Sequence, residues 1–175
     1  MSAYYEKYVK DGIFDITALI NDDFVNAIRI LWQAKHYNSA LKLLLCLIDT
    51  MSFVSTGRSS PGNFKQWLSK FVDLQSIGVN ADEIWEHRNA VLHLSTYESN
   101  KVRDGSIRKL VPFVGRRSLP PSNEQTFYDM HALLVVVFAG LGKYLNIMDE
   151  SEEMRRIFCD NYEKTVSDAF LTYHE

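Results

Sequence analysis

The sequence predicts an all-α protein, a helical bundle of about five to six helices in which 106–117 can form a small β-hairpin. Three observations support this. Apolar residues recur at helical spacing along most of the chain, capping residues precede several of these stretches, and the glycine- and proline-rich segments between them are short. With 175 residues, the chain can bury a sizeable core, so we expect one domain over 1–175.

The first half of the chain contains the patterns of three helices, over about 22–36, 39–54 and 64–72. Asn21 or Asp22 is a suitable N-cap for the first of them. The second is apolar nearly all round, which is typical of a central, buried helix, and Asp49 is the charge that interrupts its second half. Residues 56–63 are expected to form a loop because they contain glycine, proline and serine.

The second half starts with a helix over about 80–97, for which Asn80 and Glu83 form a capping box. The segment 106–117 has short β-favourable runs, which is the basis for the hairpin. A second capping box at Ser122 and Gln125 predicts a long helix through about 145, and Ser151 predicts the start of a last amphipathic helix.

Composition excludes several classes of protein. The formal charge of −3 is too small for the whole molecule to bind nucleic acid electrostatically, so any such surface must be local. The N-terminus has no apolar signal-peptide core, and the apolar run 132–142 is too short to cross a bilayer. We therefore expect no membrane association and a cytoplasmic location, with Cys46 and Cys159 as reduced core thiols. No metal-binding or glycine-rich phosphate motif is present, so no metal and no cofactor are expected.

One stretch, EHRNAVLH at 86–93, concentrates groups that can bind and protonate a phosphate. On an ideal helix Glu86, Asn89 and His93 lie on one side, Asn89 and His93 being four residues apart. Arg88 instead points into the apolar sector, about 140° from His93.

A guanidinium in an apolar sector must have a partner, because an unpaired buried charge costs several kcal/mol. Two solutions are open for Arg88. Either an acid such as Asp49 pairs with it, or the sector faces a symmetric dimer groove in which two copies of Arg88 and His93 meet. The alternative without function is a surface histidine and an arginine whose head group reaches water.

Arg88, Asn89 and His93 resemble the signature of the HEPN superfamily of α-helical ribonucleases, in which a polar residue follows an arginine and a histidine comes a few residues later. The resemblance implies a homodimer with a composite site that cleaves RNA without a metal. His93 would be the general acid or base, Arg88 would neutralise charge on the phosphate, and Asn89 would hold the phosphate or the imidazole. Asp49 and Glu86 would support them.

The resemblance also implies a biological setting, since many members of the superfamily are toxins or abortive-infection factors. Some are paired with a nucleotidyltransferase antitoxin that modifies a tyrosine two residues after the histidine. This sequence has Ser95 at that position and Tyr97 two residues later, so control by adenylylation is in question. The competing interpretation is a non-catalytic helical module that binds nucleotides or proteins.

The segment 101–117 is a candidate RNA-binding surface. Its basic residues, with Asp104 as the one acid among them, are Lys101, Arg103, Arg108, Lys109, Arg116 and Arg117. Such a cluster after the motif helix could bind the RNA backbone. The alternative is a solvated loop that balances an acidic body.

Overall fold

The computed structural model describes residues 6–94, 98–115 and 122–166. The helices are α1 (Ile16–Ile20), α2 (Asn26–Gln33), α3 (Tyr37–Thr56), α4 (Pro61–Phe71), α5 (Ala81–Asn89), α6 (Asn100–Arg103), α7 (Met130–Glu150) and α8 (Glu152–Val166). The strands are β1 (Val9–Lys10), β2 (Ile13–Phe14), β3 (Lys109–Phe113) and β4 (Gln125–Asp129). Helices hold most of the described residues, which confirms the all-α prediction.

The core is built around α3, which packs against α2, α4 and α8. Leu41, Leu44, Leu45 and Leu47 are completely buried, as expected for a segment that is apolar nearly all round. By length and composition, Tyr37–Thr56 and Met130–Glu150 could each cross a membrane, but the most apolar windows of the two are 50% and 39% buried within this fold. Helices at the centre of a bundle have the same composition.

Helix α7 lies unusually close to α4 at Gly140. A Cβ atom added there would lie 2.8 Å from the carbonyl oxygen of Phe71 and 2.8 Å from the Val72 side chain. Only glycine therefore permits this approach. A Cβ on Gly142 would meet nothing within 4 Å, so the second glycine of this helix has no such role.

The first helical region begins earlier than the sequence predicts. Asp15 is the N-cap of α1, and its carboxylate accepts a hydrogen bond of 2.8 Å from the backbone of Ala18. The chain then stays helical through a π-turn at Asn21–Val25 into α2, so neither Asn21 nor Asp22 is an N-cap of α2. That prediction was wrong because Asp15 is also a good capping residue, and it comes first.

The predicted hairpin at 106–117 and the predicted start of the long helix at 122 are both corrected. Strand β3 does lie in this segment, but it pairs in parallel with β4, in the register Lys109 with Gln125 and Phe113 with Asp129. A parallel pair cannot be closed by a tight turn. Helix α7 consequently starts only at Met130, after Asp129 as its N-cap. Strand β3 packs against α5, the helix that carries the 86–93 motif.

Candidate functional site

Helix α5 begins with the capping box that the sequence predicts. The Asn80 side chain accepts a hydrogen bond of 3.0 Å from the Glu83 backbone, and the Glu83 carboxylate accepts one of 2.9 Å from the Asn80 backbone. Reciprocal bonds of this kind satisfy two of the backbone donors that a helix leaves unpaired at its start. The start of the motif helix is therefore fixed locally.

The helix changes geometry in the middle of the motif. After Asn89 the α-helix passes into a π-turn over Ala90–Leu94, in which backbone hydrogen bonds join residues five apart. Arg88 and His93 are five residues apart, and their side chains meet, with 2.7 Å between Arg88 Nη1 and His93 Nε2. The wide separation expected from an ideal α-helix was wrong. One chain brings the two groups together without a dimer.

Arg88 is held by two other groups besides His93. Its Nε donates to Asp49 Oδ2 over 2.5 Å, its Nη2 is also paired with that oxygen, and its Nη1 donates to Asn89 Oδ1 over 3.1 Å. Of the two solutions that the sequence left open for Arg88, the acid is thus the one present. We call Asp49, Arg88, Asn89 and His93 the guanidinium cluster.

The guanidinium cluster is buried at one end and open at the other. The side chains of Arg88 and Asp49 are only 16% and 22% exposed, whereas His93 is exposed. Burial raises the pKa of the Asp49 carboxyl, and the hydrogen bonds and charge of Arg88 oppose this shift. Burial likewise raises the pKa of the Cys46 thiol, one turn before Asp49, so this cysteine is not an activated nucleophile.

The contact between Arg88 and His93 identifies the state of the imidazole. A guanidinium has only donors, so His93 Nε2 must be the acceptor, and the ring must be neutral with its proton on Nδ1. The lone pair of Nε2 is therefore directed at Arg88 and is engaged by its Nη1. An anion that took over Nη1 would release this lone pair to accept a proton.

Glu86, expected to support the site, lies elsewhere. It is 5% exposed and pairs with Lys101 over 3.4 Å. Its neighbour Glu83 is 3% exposed and pairs with Arg108 over 2.7 Å. These contacts lie on the face of α5 that meets α6 and β3.

His87 is buried on the same side and is 2% exposed, as its position between the apolar directions of the helix indicates. Its Nε2 lies 3.0 Å from the hydroxyl of Tyr128 on β4, and desolvation lowers its pKa to about 4. The two rings meet edge to face, with their centroids 5.7 Å apart. We call the set Glu83, Glu86, His87, Lys101, Arg108 and Tyr128 the strand-side network.

The basic candidates are mostly paired. Lys101 and Arg108 belong to the strand-side network, and Lys109 pairs with Glu98 over 2.7 Å. Arg103 donates to Asn100. Glutamates close in space thus offset much of the positive charge of the segment 101–117. Such pairing is what the alternative, a loop that balances an acidic body, requires. Arg116, Arg117 and Tyr97 lie outside the described residues.

Trp85 is the neighbour of the site that the sequence analysis missed. The guanidinium carbon of Arg88 lies 5.2 Å from the centroid of the Trp85 ring. The i, i+3 spacing of the two residues on a helix was the signal that could have revealed the contact.

The guanidinium cluster places a cation beside a group that can accept a proton. Within 6–94, 98–115 and 122–166, no three histidine, cysteine, aspartate or glutamate side chains are grouped as metal ligands. Comparisons with protein-family models, curated proteins and solved structures found no match to this chain.

Proposed function

We propose that this protein is a metal-independent endoribonuclease whose active site is the guanidinium cluster. The observation that carries the proposal is the contact of Arg88 with His93 over 2.7 Å, with Asp49 holding the other edge of the guanidinium. A cation that binds phosphate and a neutral imidazole that accepts a proton are thus adjacent, and the imidazole is exposed.

A phosphodiester would replace Asn89 and His93 as acceptors for Arg88 Nη1, while Asp49 keeps the guanidinium in place. His93 Nε2 then accepts the proton of the ribose 2′-hydroxyl, and the 2′-oxygen attacks phosphorus. The bond from phosphorus to the 5′-oxygen breaks, leaving a 2′,3′-cyclic phosphate, and the leaving 5′-oxygen takes a proton to become a hydroxyl, in a single subunit from water. Arg88 stabilises the charge that develops on the phosphoryl oxygens. DNA lacks the attacking hydroxyl and is not a substrate.

A homodimer would complete this chemistry. A two-fold axis near the cluster would place the imidazole of the partner subunit beside the leaving oxygen, and this ring, once released from its own arginine and protonated, would supply the proton. The proposed setting is the cytoplasm, as a toxin or antiphage effector, with a nucleotidyltransferase as one class of antitoxin.

A second candidate function has one observation in its favour. Nε, Nη1 and one N–H of Nη2 of Arg88 already have acceptors within the chain. Such a closed arrangement also suits a non-catalytic module in which the cluster stabilises the bundle.

Cleavage of labelled RNA separates the two candidates. Wild-type protein should cut RNA but not DNA of the same sequence and leave 2′,3′-cyclic ends, and Arg88→Ala and His93→Ala should each cut at least about a hundredfold more slowly. Arg29→Ala and His36→Ala are matched controls, because both residues are exposed and lie outside the cluster. Equal rates for all five proteins would assign the cleavage to a contaminant and favour the non-catalytic module.

The dimer is tested by light scattering at concentrations used for the cleavage assay. We expect twice the chain mass of 20.2 kDa. A fully active monomer would show that one guanidinium cluster is sufficient.

A further inference from the structure

The guanidinium of Arg88 is attached to Asp49 through a single oxygen atom. Its Nε and its Nη2 both contact Oδ2. A pair in which each nitrogen has an oxygen of its own fixes the plane of a guanidinium, whereas a fork that closes on one oxygen lets the guanidinium turn about that atom. Asn89 and His93 hold Nη1 at the other edge, but they are the two acceptors that the phosphate replaces in the proposed reaction.

Trp85 lies against a face of the same guanidinium. It is three residues before Arg88 on α5, and Arg88 Cζ lies over its ring at 5.2 Å from the centroid. A cation over an indole is attracted by the negative potential of the ring face, and the attraction is larger where water is excluded. The side chain of Arg88 is only 16% exposed, so this pair is partly shielded from water.

The core fixes the orientation of the Trp85 ring. Phe64 on α4 is completely buried and meets the Trp85 ring at an interplanar angle of 65°, with 5.1 Å between the centroids. Such edge-to-face pairs are a favoured arrangement of aromatic rings. The indole is therefore held between a core phenylalanine and the cation of the site, and it forms a supported wall on one side of the guanidinium.

We propose that Trp85 is a positioning residue of the ribonuclease site, which keeps the guanidinium of Arg88 oriented after a phosphodiester has displaced the two neutral acceptors. The inference rests on the proposed function, since it takes Arg88 as the group that binds the phosphate. At that stage Asp49 supplies one pivot atom and Trp85 blocks rotation toward its side. Misplacement of a reacting group by about 1 Å can cost roughly a hundredfold in rate, so the orientation of this donor affects the rate as well as its charge does.

The kinetics of RNA cleavage separate orientation from charge. Trp85→Leu keeps an apolar side chain and leaves the charge of Arg88 but removes the aromatic face, so we expect kcat to fall about tenfold with KM changed less than about threefold. Trp85→Phe offers a smaller face and should restore most of kcat. The matched control is Trp32→Leu, because Trp32 is also partly buried and also contacts an imidazole, that of His131, outside the cluster.

A second experiment observes the guanidinium directly and does not depend on cleavage. Exchange of the Arg88 Nε proton with water, followed by heteronuclear NMR, requires the contact with Asp49 Oδ2 to open. The signal is assigned by its loss in Arg88→Lys. We expect this exchange to be about tenfold faster in Trp85→Leu than in wild type, and within about twofold of wild type in Trp85→Phe and Trp32→Leu.

Fluorinated tryptophan tests the same contact if Trp85→Leu does not fold. Trp85 is the one remaining tryptophan in a chain with Trp32→Phe and Trp67→Phe. Ring fluorines withdraw electron density from the indole face and weaken its attraction for a cation with little change in shape. Exchange of the Arg88 Nε proton should therefore become faster with each fluorine added to the ring.

Three results would overturn the positioning role. They are equal proton exchange in Trp85→Leu and Trp32→Leu or no response to fluorination, faster exchange with an unchanged kcat, and a loss of kcat that Trp85→Phe does not restore. The last of these would indicate that the indole only stabilises the fold. Failure of the proposed function is distinguishable, because wild type would then not cleave RNA, and the exchange rates would show separately whether Trp85 orders the guanidinium.

Discussion

The guanidinium cluster and the strand-side network use similar charged groups in different arrangements on one helix. In the cluster the cation and its anion are both partly buried, with side chains 16% and 22% exposed, and Arg88 is shared by Asp49, Asn89 and His93. In the network the anions are buried, and the half-exposed Arg108 neutralises Glu83 from the outside.

This difference separates a group that can exchange partners from one that cannot. An incoming phosphate can replace neutral Asn89 and His93 on Arg88 and leave Arg88 paired with Asp49. It cannot draw Arg108 away from Glu83 without leaving a carboxylate that is 3% exposed without its charge partner, which costs free energy. We therefore expect changes in the cluster to alter activity and changes in the network to alter stability.

The largest expected effect is that of Arg88→Lys. An ammonium keeps the charge but cannot donate in a fork to Asp49 while also reaching Asn89 and His93. We expect RNA cleavage to fall roughly a hundredfold to a thousandfold, as for the loss of a transition-state donor. Arg108→Lys is the matched control, and cleavage by this variant should stay near that of wild type. An equal fall in both variants would remove the distinction between the two regions.

The next effect is a pH dependence of stability from His87. The pKa of His87 is about 4 in the folded protein against 6.5 as the ordinary value. The unfolded chain therefore binds the proton first, so stability is full above about pH 6.5 and falls as the pH drops toward 4, by on the order of 3 kcal/mol. Urea unfolding across this window should show a steeper loss for wild type than for His87→Gln. An identical dependence of stability on pH in the two proteins would show that groups other than His87 cause the loss in acid.

A smaller effect is expected from Arg108→Ala. Removing the cation leaves Glu83 buried with its capping bond and the Thr126 hydroxyl, and Arg108 is itself half-exposed. We expect the free energy of unfolding to fall by roughly 1–2 kcal/mol, below the value for fully buried pairs. The cleavage rate of the folded fraction should not change, and a large fall in that rate would assign Arg108 to substrate binding.

The smallest effect is expected from Lys109→Ala. The side chains of its pair with Glu98 are 29% and 49% exposed, and exposed pairs contribute less than about 1 kcal/mol. Urea unfolding, which also measures the loss for Arg108→Ala, should hardly register this change. A loss as large as that of Arg108→Ala would show that burial of the carboxylate does not control how much free energy of unfolding is lost with the cation.

The sequence predicts a helix well where residues that are neighbours in the sequence determine it. The capping box at Asn80 and the apolar character of α3 are properties of neighbouring residues, and both predictions are confirmed. The pairing of β3 with β4 is not local, since it joins residues 16 positions apart, as in Lys109 with Gln125. A pattern of short β-favourable runs cannot tell a hairpin from such a crossover.

The residues of the candidate site also differ in whether a local pattern or long-range packing determines their contacts. Arg88, Asn89 and His93 could be selected from their spacing alone. Asp49 remained one of two alternatives for Arg88, because a contact between residues 39 positions apart depends on how α3 and α5 pack. The contact of Arg88 with His93 was missed because it depends on the π-turn, and helical periodicity assumes a regular α-helix.

The π-turn also bears on how the length of this helix can vary in evolution. Its hydrogen bonds join residues five apart, and those of an α-helix join residues four apart. Loss of one codon between Arg88 and His93 would leave the two residues four apart, the spacing at which a plain α-helix places side chains on one face. We therefore expect a gene with that deletion to keep the arginine–histidine contact, whereas three deletions, which leave the two residues only two apart, would separate the groups.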